Sequence, residues 1–105
     1  LVLTDGAAVA LRGPTLLGRD PVLALQHGDA EARGLDDPTM TMSKTHAFVG
    51  FDEHGPWIAD LGSSNGTQLT APGTDEQVLR SESARLVPGT IVRLGGVEMK
   101  FEAVR

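Results

Sequence analysis

From Val97 to Ala103 the chain reads V-E-M-K-F-E-A, apolar and charged residues in strict alternation. Successive side chains of a strand point to opposite faces, so this pattern requires a strand with one dry face and one wet face. The preceding segment, Thr90-Ile91-Val92-Arg93-Leu94, is a second strand, held between the turns Pro88-Gly89 and Gly95-Gly96. A chain that ends in such a hairpin must supply a second apolar surface to cover the dry face.

The rest of the chain has the same grain. Leu1-Val2-Leu3, Asp5-Gly6 and Ala7 to Leu11 read as strand, turn and strand, broken at Gly13-Pro14. Thr15 to Gly18 is a short strand ending on Gly18-Arg19 and closed by Asp20-Pro21, and Val22 to Leu25 continues as strand. Gln26 to Pro38 is polar and acidic and reads as a long loop. Apolar alternation restarts at Met40-Thr41-Met42 and resumes after Ser43-Lys44-Thr45-His46 with Ala47, Val49 and Phe51. Asp52 to Pro56 is a hairpin loop, and Trp57 to Leu61 returns. Between Thr70 and Arg85 two readings stand side by side: a short helix opened by a Thr74/Gln77 capping box, or a loop or irregular edge. Short strands separated by turn residues predict an all-β sandwich of two mostly antiparallel sheets.

With 105 residues, 40% of them hydrophobic, the chain is expected to be one domain with one core. No apolar run reaches transmembrane length, and no charged-then-apolar leader is visible. Leu1 in place of Met suggests a domain cut from something longer, and the absence of Cys fits a reducing compartment. A net charge of −5 argues against nucleic acid or an anionic membrane as partner. An anion site would have to be a local positive spot in an acidic background.

Such a spot is suggested by Asp60 to Thr67, D-L-G-S-S-N-G-T. Asn65-Gly66 reverses the chain because both residue types accept positive φ, and hydroxyls and N–H groups in a tight turn can hold an anion without a metal. Three pieces then occur in order: Gly18-Arg19, Ser43-Lys44-Thr45-His46, and Asp60 to Thr67. Together they resemble the forkhead-associated (FHA) family, β-sandwich modules of FHA/SMAD type that bind phosphothreonine peptides. The family pattern is Gly-Arg at a strand end, S-x-x-H, then an acidic-apolar step into S-x-N-G-T. Leu86, Gly89, Ile91, Leu94-Gly95 and Phe101 resemble its closing strands, so the likeness covers the whole chain.

The resemblance implies a role for each matched position. Arg19 would meet the phosphate with its planar fork, and Ser43 would donate its hydroxyl. Lys44 would add a point charge where the family often has Arg or Asn. Ser64 would line the phosphothreonine site and Asn65 would hold the ligand's main chain. Gly18, His46 and Gly66 would support the site, His46 by bracing loops and Gly66 by permitting the turn. Two positions depart from the family pattern. Gln68 to Gly73 replaces a second Asn-Gly, and Thr90 stands where Asp is frequent.

Other readings of the same residues are weaker. Ser43, His46 and Asp60 do not form a hydrolytic triad, because no nucleophile elbow surrounds Ser43. His27, His46 and His54 lack zinc-ligand spacing, and His27 and His54 read as exposed loop residues. Asn65-Gly66-Thr67 matches a glycosylation acceptor but reads as a turn. Trp57 reads as core or sheet-face packing, and Arg33, Arg80 and Arg85 as solvated loop charges. The expectation is therefore a single, monomeric FHA domain over residues 1–105, without catalysis, cofactor or metal. Its partner would be a threonine-phosphorylated protein or peptide, a Ser/Thr kinase substrate or the kinase itself, in the cytoplasm. The alternative is a phosphate-independent interaction domain using an exposed sheet face.

Overall fold

In the computed structural model, residues 2–4, 8–10, 13–23, 28, 30–35 and 40–102 are described, the first two segments by backbone alone. Their strands are β1 (Val2–Thr4), β2 (Ala8–Ala10), β3 (Thr15–Gly18), β4 (Glu31–Gly34), β5 (Ala47–Asp52), β6 (Gly55–Asp60), β7 (Thr67–Thr70), β8 (Gln77–Leu79), β9 (Ser83–Arg85), β10 (Ile91–Leu94) and β11 (Val97–Glu102). They form two sheets, ordered β2-β1-β11-β10-β7-β8 and β4-β3-β5-β6-β9. The described residues contain no helix, so none is long and apolar enough to cross a membrane.

The alternation that marks β11 in the sequence is its burial pattern: Val97, Met99 and Phe101 are buried, Glu98, Lys100 and Glu102 exposed. β11 pairs with β1 on one side and with β10 on the other, Val92 opposite Met99 and Leu94 opposite Val97. The opposing sheet supplies Leu17, Ala47, Val49 and Ile58, and one core joins the two sheets. Burying a side chain such as Phe101 contributes about 1.5–3 kcal/mol. β5 and β6 form a hairpin whose turn is only Glu53-His54, because Asp52 and Gly55 already pair. β1 and β2 are the strand pair expected at the start, and the Asp5-Gly6 turn lies outside the described residues.

Three expectations need correction, and one pair of alternatives is decided. Gln26 to Pro38 is not one loop, because Glu31–Gly34 forms β4, parallel to β3. All four residues of β4 are exposed, so no hydrophobic alternation marks it. Backbone pairing with β3 holds it instead, extended by Glu31 N–H to the Pro14 carbonyl (3.0 Å) and Leu35 N–H to the Gly18 carbonyl (2.8 Å). Val22 and Leu23 are exposed loop residues rather than strand, while Ala24 and Leu25 lie outside the described residues. Met40 to Met42 is also loop: Met40 has φ 55°, and only Met42 reaches the core. Between Thr70 and Arg85 the irregular-edge reading holds and the helix does not. Thr74 closes a turn onto the Ala71 carbonyl through both N–H (3.1 Å) and Oγ1 (2.9 Å), and Gln77 begins an edge strand.

Candidate functional site

The loop entering β5 crosses directly over the end of β3. Arg19 N–H donates to the Ser43 carbonyl (3.1 Å), Asp20 N–H to the Lys44 carbonyl (3.0 Å) and His46 N–H to the Leu17 carbonyl (2.8 Å). A Cβ placed on Gly18 would lie 2.1 Å from the Lys44 carbonyl oxygen, so the crossing requires glycine. This brings Gly18-Arg19 and Ser43-Lys44, two dozen residues apart, into one layer.

His46 ties that layer to the loop between β6 and β7. Its ring is fully buried. Nδ1 accepts the Ser43 N–H at 3.1 Å, which puts the ring proton on Nε2, 2.9 Å from the Gly66 carbonyl. An imidazole in this tautomer accepts at one end and donates at the other, a double role that Lys or Asn at this position would not reproduce with the same geometry. Gly66 itself has φ 75°, as the Asn-Gly turn predicts.

Asp60 organises the rest of the β6–β7 loop. Its side chain is fully buried, and the carboxylate accepts hydrogen bonds from the N–H groups of Gly62 (3.1 Å), Ser63 (3.2 Å) and Ser81 (2.9 Å). It also accepts from the hydroxyls of Ser63 and Thr67, the latter at 2.8 Å. Burial pushes the carboxyl pKa up, but the bonds from Ser63, the Ser81 backbone and Thr67 outweigh it and hold the pKa below its ordinary value. Asp60 and Thr67 were not among the candidate site residues. Their signal was an aspartate followed at the second and third positions by Gly and Ser, the sequence of an Asx turn.

On the outer surface the two loops meet through their polar groups. Ser64 N–H donates to Ser43 Oγ (3.1 Å), and Asn65 Nδ2 donates to the Thr41 carbonyl (2.7 Å). Ser43 Oγ therefore uses a lone pair inside the protein and keeps its O–H to donate outward. Asn65 keeps its carbonyl oxygen and a second N–H. Thr41 in turn accepts the Gly96 N–H on Oγ1 (2.6 Å), and an open groove of about 360 Å³ runs between Thr41, Asn65, Gln68, Gly95 and Gly96. Arg19 is exposed and has no ion pair among the described residues, while Lys44 lies 3.8 Å from Asp20, both side chains mostly exposed. A pair that open is weak and readily exchanged for another anion. All eight candidate residues, Gly18, Arg19, Ser43, Lys44, His46, Ser64, Asn65 and Gly66, thus sit in one interlocked cluster of loops.

The family model for the FHA domain matches residues 15–95, from the start of β3 to the turn after β10. The chain belongs to the FHA-domain family. Among solved structures it is similar to an FHA domain from a study of phosphothreonine-dependent FHA domain interactions, with TM-score 0.69 and 24% identity over 99% of this chain and 96% of that one. The FhaA FHA domain, solved in complex with the intracellular domain of Rv3910, gives TM-score 0.65 and 26% identity, covering 94% and 96% of the two chains. The FHA domain of the CT664 protein from Chlamydia trachomatis gives TM-score 0.73 and 23% identity, covering 99% and 97%. A comparison with curated proteins gives no match. FHA domains are protein-interaction modules, and this chain is one of them.

Outside the loop cluster, the FHA domain places the remaining singled-out residues in ordinary surroundings. His54 stands in the β5–β6 turn, exposed, 3.5 Å from Glu53, and His27 lies outside the described residues. Among the described residues no group of three His, Cys, Asp or Glu could hold a metal ion. Trp57 is half-buried on the outer face of its sheet, lying over Gly50 with its centroid 5.7 Å from the Phe48 ring. Arg33 and Arg85 are strand residues, paired with Glu31 and Asp52.

Proposed function

We propose that this FHA domain binds phosphothreonine in partner proteins through the loop cluster built on Arg19, Ser43, Lys44, Ser64 and Asn65, and that it does so without catalysis. The observation that carries this reading is the juxtaposition of an unpaired Arg19 with a Ser43 hydroxyl whose acceptor side is already engaged by Ser64 N–H. In a chain of net charge −5, this surface offers donors and positive charge where a dianionic phosphate could be received. Arg19 supplies the planar fork, Lys44 exchanges Asp20 for phosphate, and Ser43 donates. Asn65, steadied by its bond to Thr41, holds the peptide main chain.

Because His46 and Asp60 lock the loops before ligand arrives, little ordering entropy is lost on binding. The ligand class is a phosphorylated segment written by a Ser/Thr kinase, on a kinase substrate or on the kinase itself, and the compartment in this reading is the cytoplasm. Calorimetric titration with one peptide in phosphorylated and unphosphorylated form tests it. Binding confined to the phosphorylated peptide is expected. Equal binding of the two would overturn the reading in favour of a phosphate-independent surface.

A further inference from the structure

Among the described residues, each Lys and Arg except two has a carboxylate within 4.0 Å. The pairs are Arg33 with Glu31, Lys44 with Asp20, Arg85 with Asp52, Arg93 with Glu76 and Glu98, and Lys100 with Glu102. The two exceptions are Arg19 and Arg80. In a chain with 14 acidic and 9 basic residues, unpaired guanidinium groups are the minority. Arg19 borders the loop that carries Ser43 and Arg80 the loop that carries Gly66, two loops joined by the Ser64–Ser43 hydrogen bond.

Arg80 reaches that border by register. Thr67 pairs with Leu79 in the β7–β8 ladder, so the next step sets Arg80 opposite Gly66. Leu79 points into the core, so Val78 and Arg80 point outward on either side of it. A Cβ placed on Gly66 would lie 3.0 Å from Val78 Cγ1 and 3.7 Å from Arg80 Cγ. The following residue is anchored to the same loop: Ser81 N–H donates to Asp60 Oδ2 at 2.9 Å, alongside the N–H groups of Gly62 and Ser63. Glu82, on the same turn, accepts the Arg80 backbone N–H at 3.3 Å and leaves the guanidinium without an ion pair. Arg80 is therefore held at its backbone, exposed at its charge, and adjacent to Asn65-Gly66.

The geometry points to Arg80 as a specificity-determining residue that reads a second anionic group on the ligand, flanking the phosphothreonine. This rests on the phosphothreonine reading above. Arg19 lies on the loop after β3, beside Ser43, and Arg80 on the loop after β8, beside Gly66. A ligand laid across Ser64 and Asn65 would carry its phosphate toward Arg19 and Lys44, and a neighbouring carboxylate or second phosphate toward Arg80. A guanidinium matches either group with its two parallel N–H donors.

The test uses fluorescent peptides with a central phosphothreonine in a neutral background and Asp placed singly at each neighbouring position. They are titrated against the wild-type domain, Arg80→Gln, Arg80→Lys and, as an ion-paired control, Arg93→Gln. At one or two positions Asp should raise wild-type affinity about tenfold. Arg80→Gln should remove that gain while leaving the neutral peptide's affinity unchanged. Arg80→Lys should keep part of the gain and Arg93→Gln all of it. Replacing Asp by phosphoserine at the responsive position separates the two sources: a larger gain marks a doubly phosphorylated ligand, a smaller one an acidic segment, and both support the role. If phosphothreonine peptides bind but Asp helps at no position, or the gain survives Arg80→Gln, the role of Arg80 is overturned and the phosphothreonine reading stands. If no phosphothreonine peptide binds, both fall together.

Discussion

His46 Nε2 and the Gly66 carbonyl oxygen stand 2.9 Å apart across twenty residues of sequence, inside the protein and away from water. The other ring nitrogen of His46 receives the Ser43 N–H. One neutral side chain thereby fixes the spacing between the loop that offers Ser43 and the loop that offers Ser64 and Asn65. The distance between ligand-facing donors is set by a residue that the ligand would not touch.

His46→Ala should therefore act through the fold first. It leaves the Ser43 N–H and the Gly66 carbonyl unpaired in the interior, at about 1–3 kcal/mol. For a domain of this size each kcal/mol lowers Tm by roughly 4–8 °C. Thermal melts should show that drop, with weaker phosphopeptide binding beside it. An unchanged Tm with binding abolished would instead make His46 a ligand contact.

Asp60 gives the domain an acid-side limit. Its folded pKa lies below the ordinary 3.8, so the unfolded chain binds the proton more readily in that range. Its contribution is present in full above the ordinary carboxyl pKa and is lost as pH falls through the lowered folded value. Asp60→Asn should be less stable than wild type at neutral pH by about 1–3 kcal/mol, since several donors lose a charged acceptor. Urea denaturation across a pH series should show the gap between the two proteins closing on the acid side. A gap independent of pH would mean that Asp60 acts by shape alone.

Gly18→Ala should displace the Ser43-Lys44 segment, because the new methyl carbon would sit 2.1 Å from the Lys44 carbonyl oxygen. Overpacking against backbone costs roughly 1–3 kcal/mol. Amide chemical shifts of Arg19, Asp20 and His46 should move most, since their N–H groups donate across that contact. Shifts confined to other regions would count against the crossing as drawn.

Arg19→Ala should leave Tm unchanged and remove most phosphopeptide affinity. Arg19 is exposed, and among the described residues its hydrogen bond to Ser43 is a backbone one, which alanine retains. Loss of a charge-assisted contact to phosphate costs about 2–5 kcal/mol. Calorimetry on the folded variant checks this, and undiminished affinity would remove Arg19 from the site.

Phosphothreonine should be preferred over phosphoserine in paired peptides. In the proposed site Arg19, Ser43, Lys44 and Ser64 would meet the phosphate, which is common to both. Burying the extra methyl contributes about 0.8 kcal/mol, and a close niche beside Ser64 to Gly66 should raise that toward tenfold, about 1.4 kcal/mol. Competition titration reads the ratio. Equal affinities would place the methyl in water.

The sequence announces a strand where one-sided burial runs over enough residues to show a period, as in β11, but not in the four-residue β7, whose burial also alternates. Val97 to Glu102 alternates because water lies on one face only, and its dry and wet faces followed from that pattern. β4 was hidden because Glu31 to Gly34 buries nothing and is strand only by pairing with β3. Edge strands β8 and β9 are three residues each, too short to display a period. In the site, the residue types Gly18-Arg19, Ser43, His46, Ser64 and Asn65-Gly66 were legible as a set. Two tethers were not: Asn65 to the Thr41 carbonyl and Ser81 N–H to Asp60, both joining residues more than twenty positions apart. Arg80 could not be told from Arg33 or Arg85 in the sequence, since only the folded neighbours show which arginines have a carboxylate at hand.

Lys44 touches Gly18 with its carbonyl oxygen, and that oxygen also takes the Asp20 N–H. Any amino acid has that carbonyl, so the crossing fixes a residue type at position 18 and none at position 44. The same split recurs at Ser81, which gives Asp60 a backbone N–H, and at Thr41, which gives Asn65 a backbone oxygen. The frame of the site is thus written largely in main-chain atoms, with side-chain identity demanded at Gly18, His46, Asp60 and Gly66. Positions 44, 68 and 80 carry exposed or half-exposed side chains and are free to change without disturbing that frame. Related domains can therefore inherit one socket and diverge in what it accepts, by exchanging a few outward-facing groups on an unchanged path of chain.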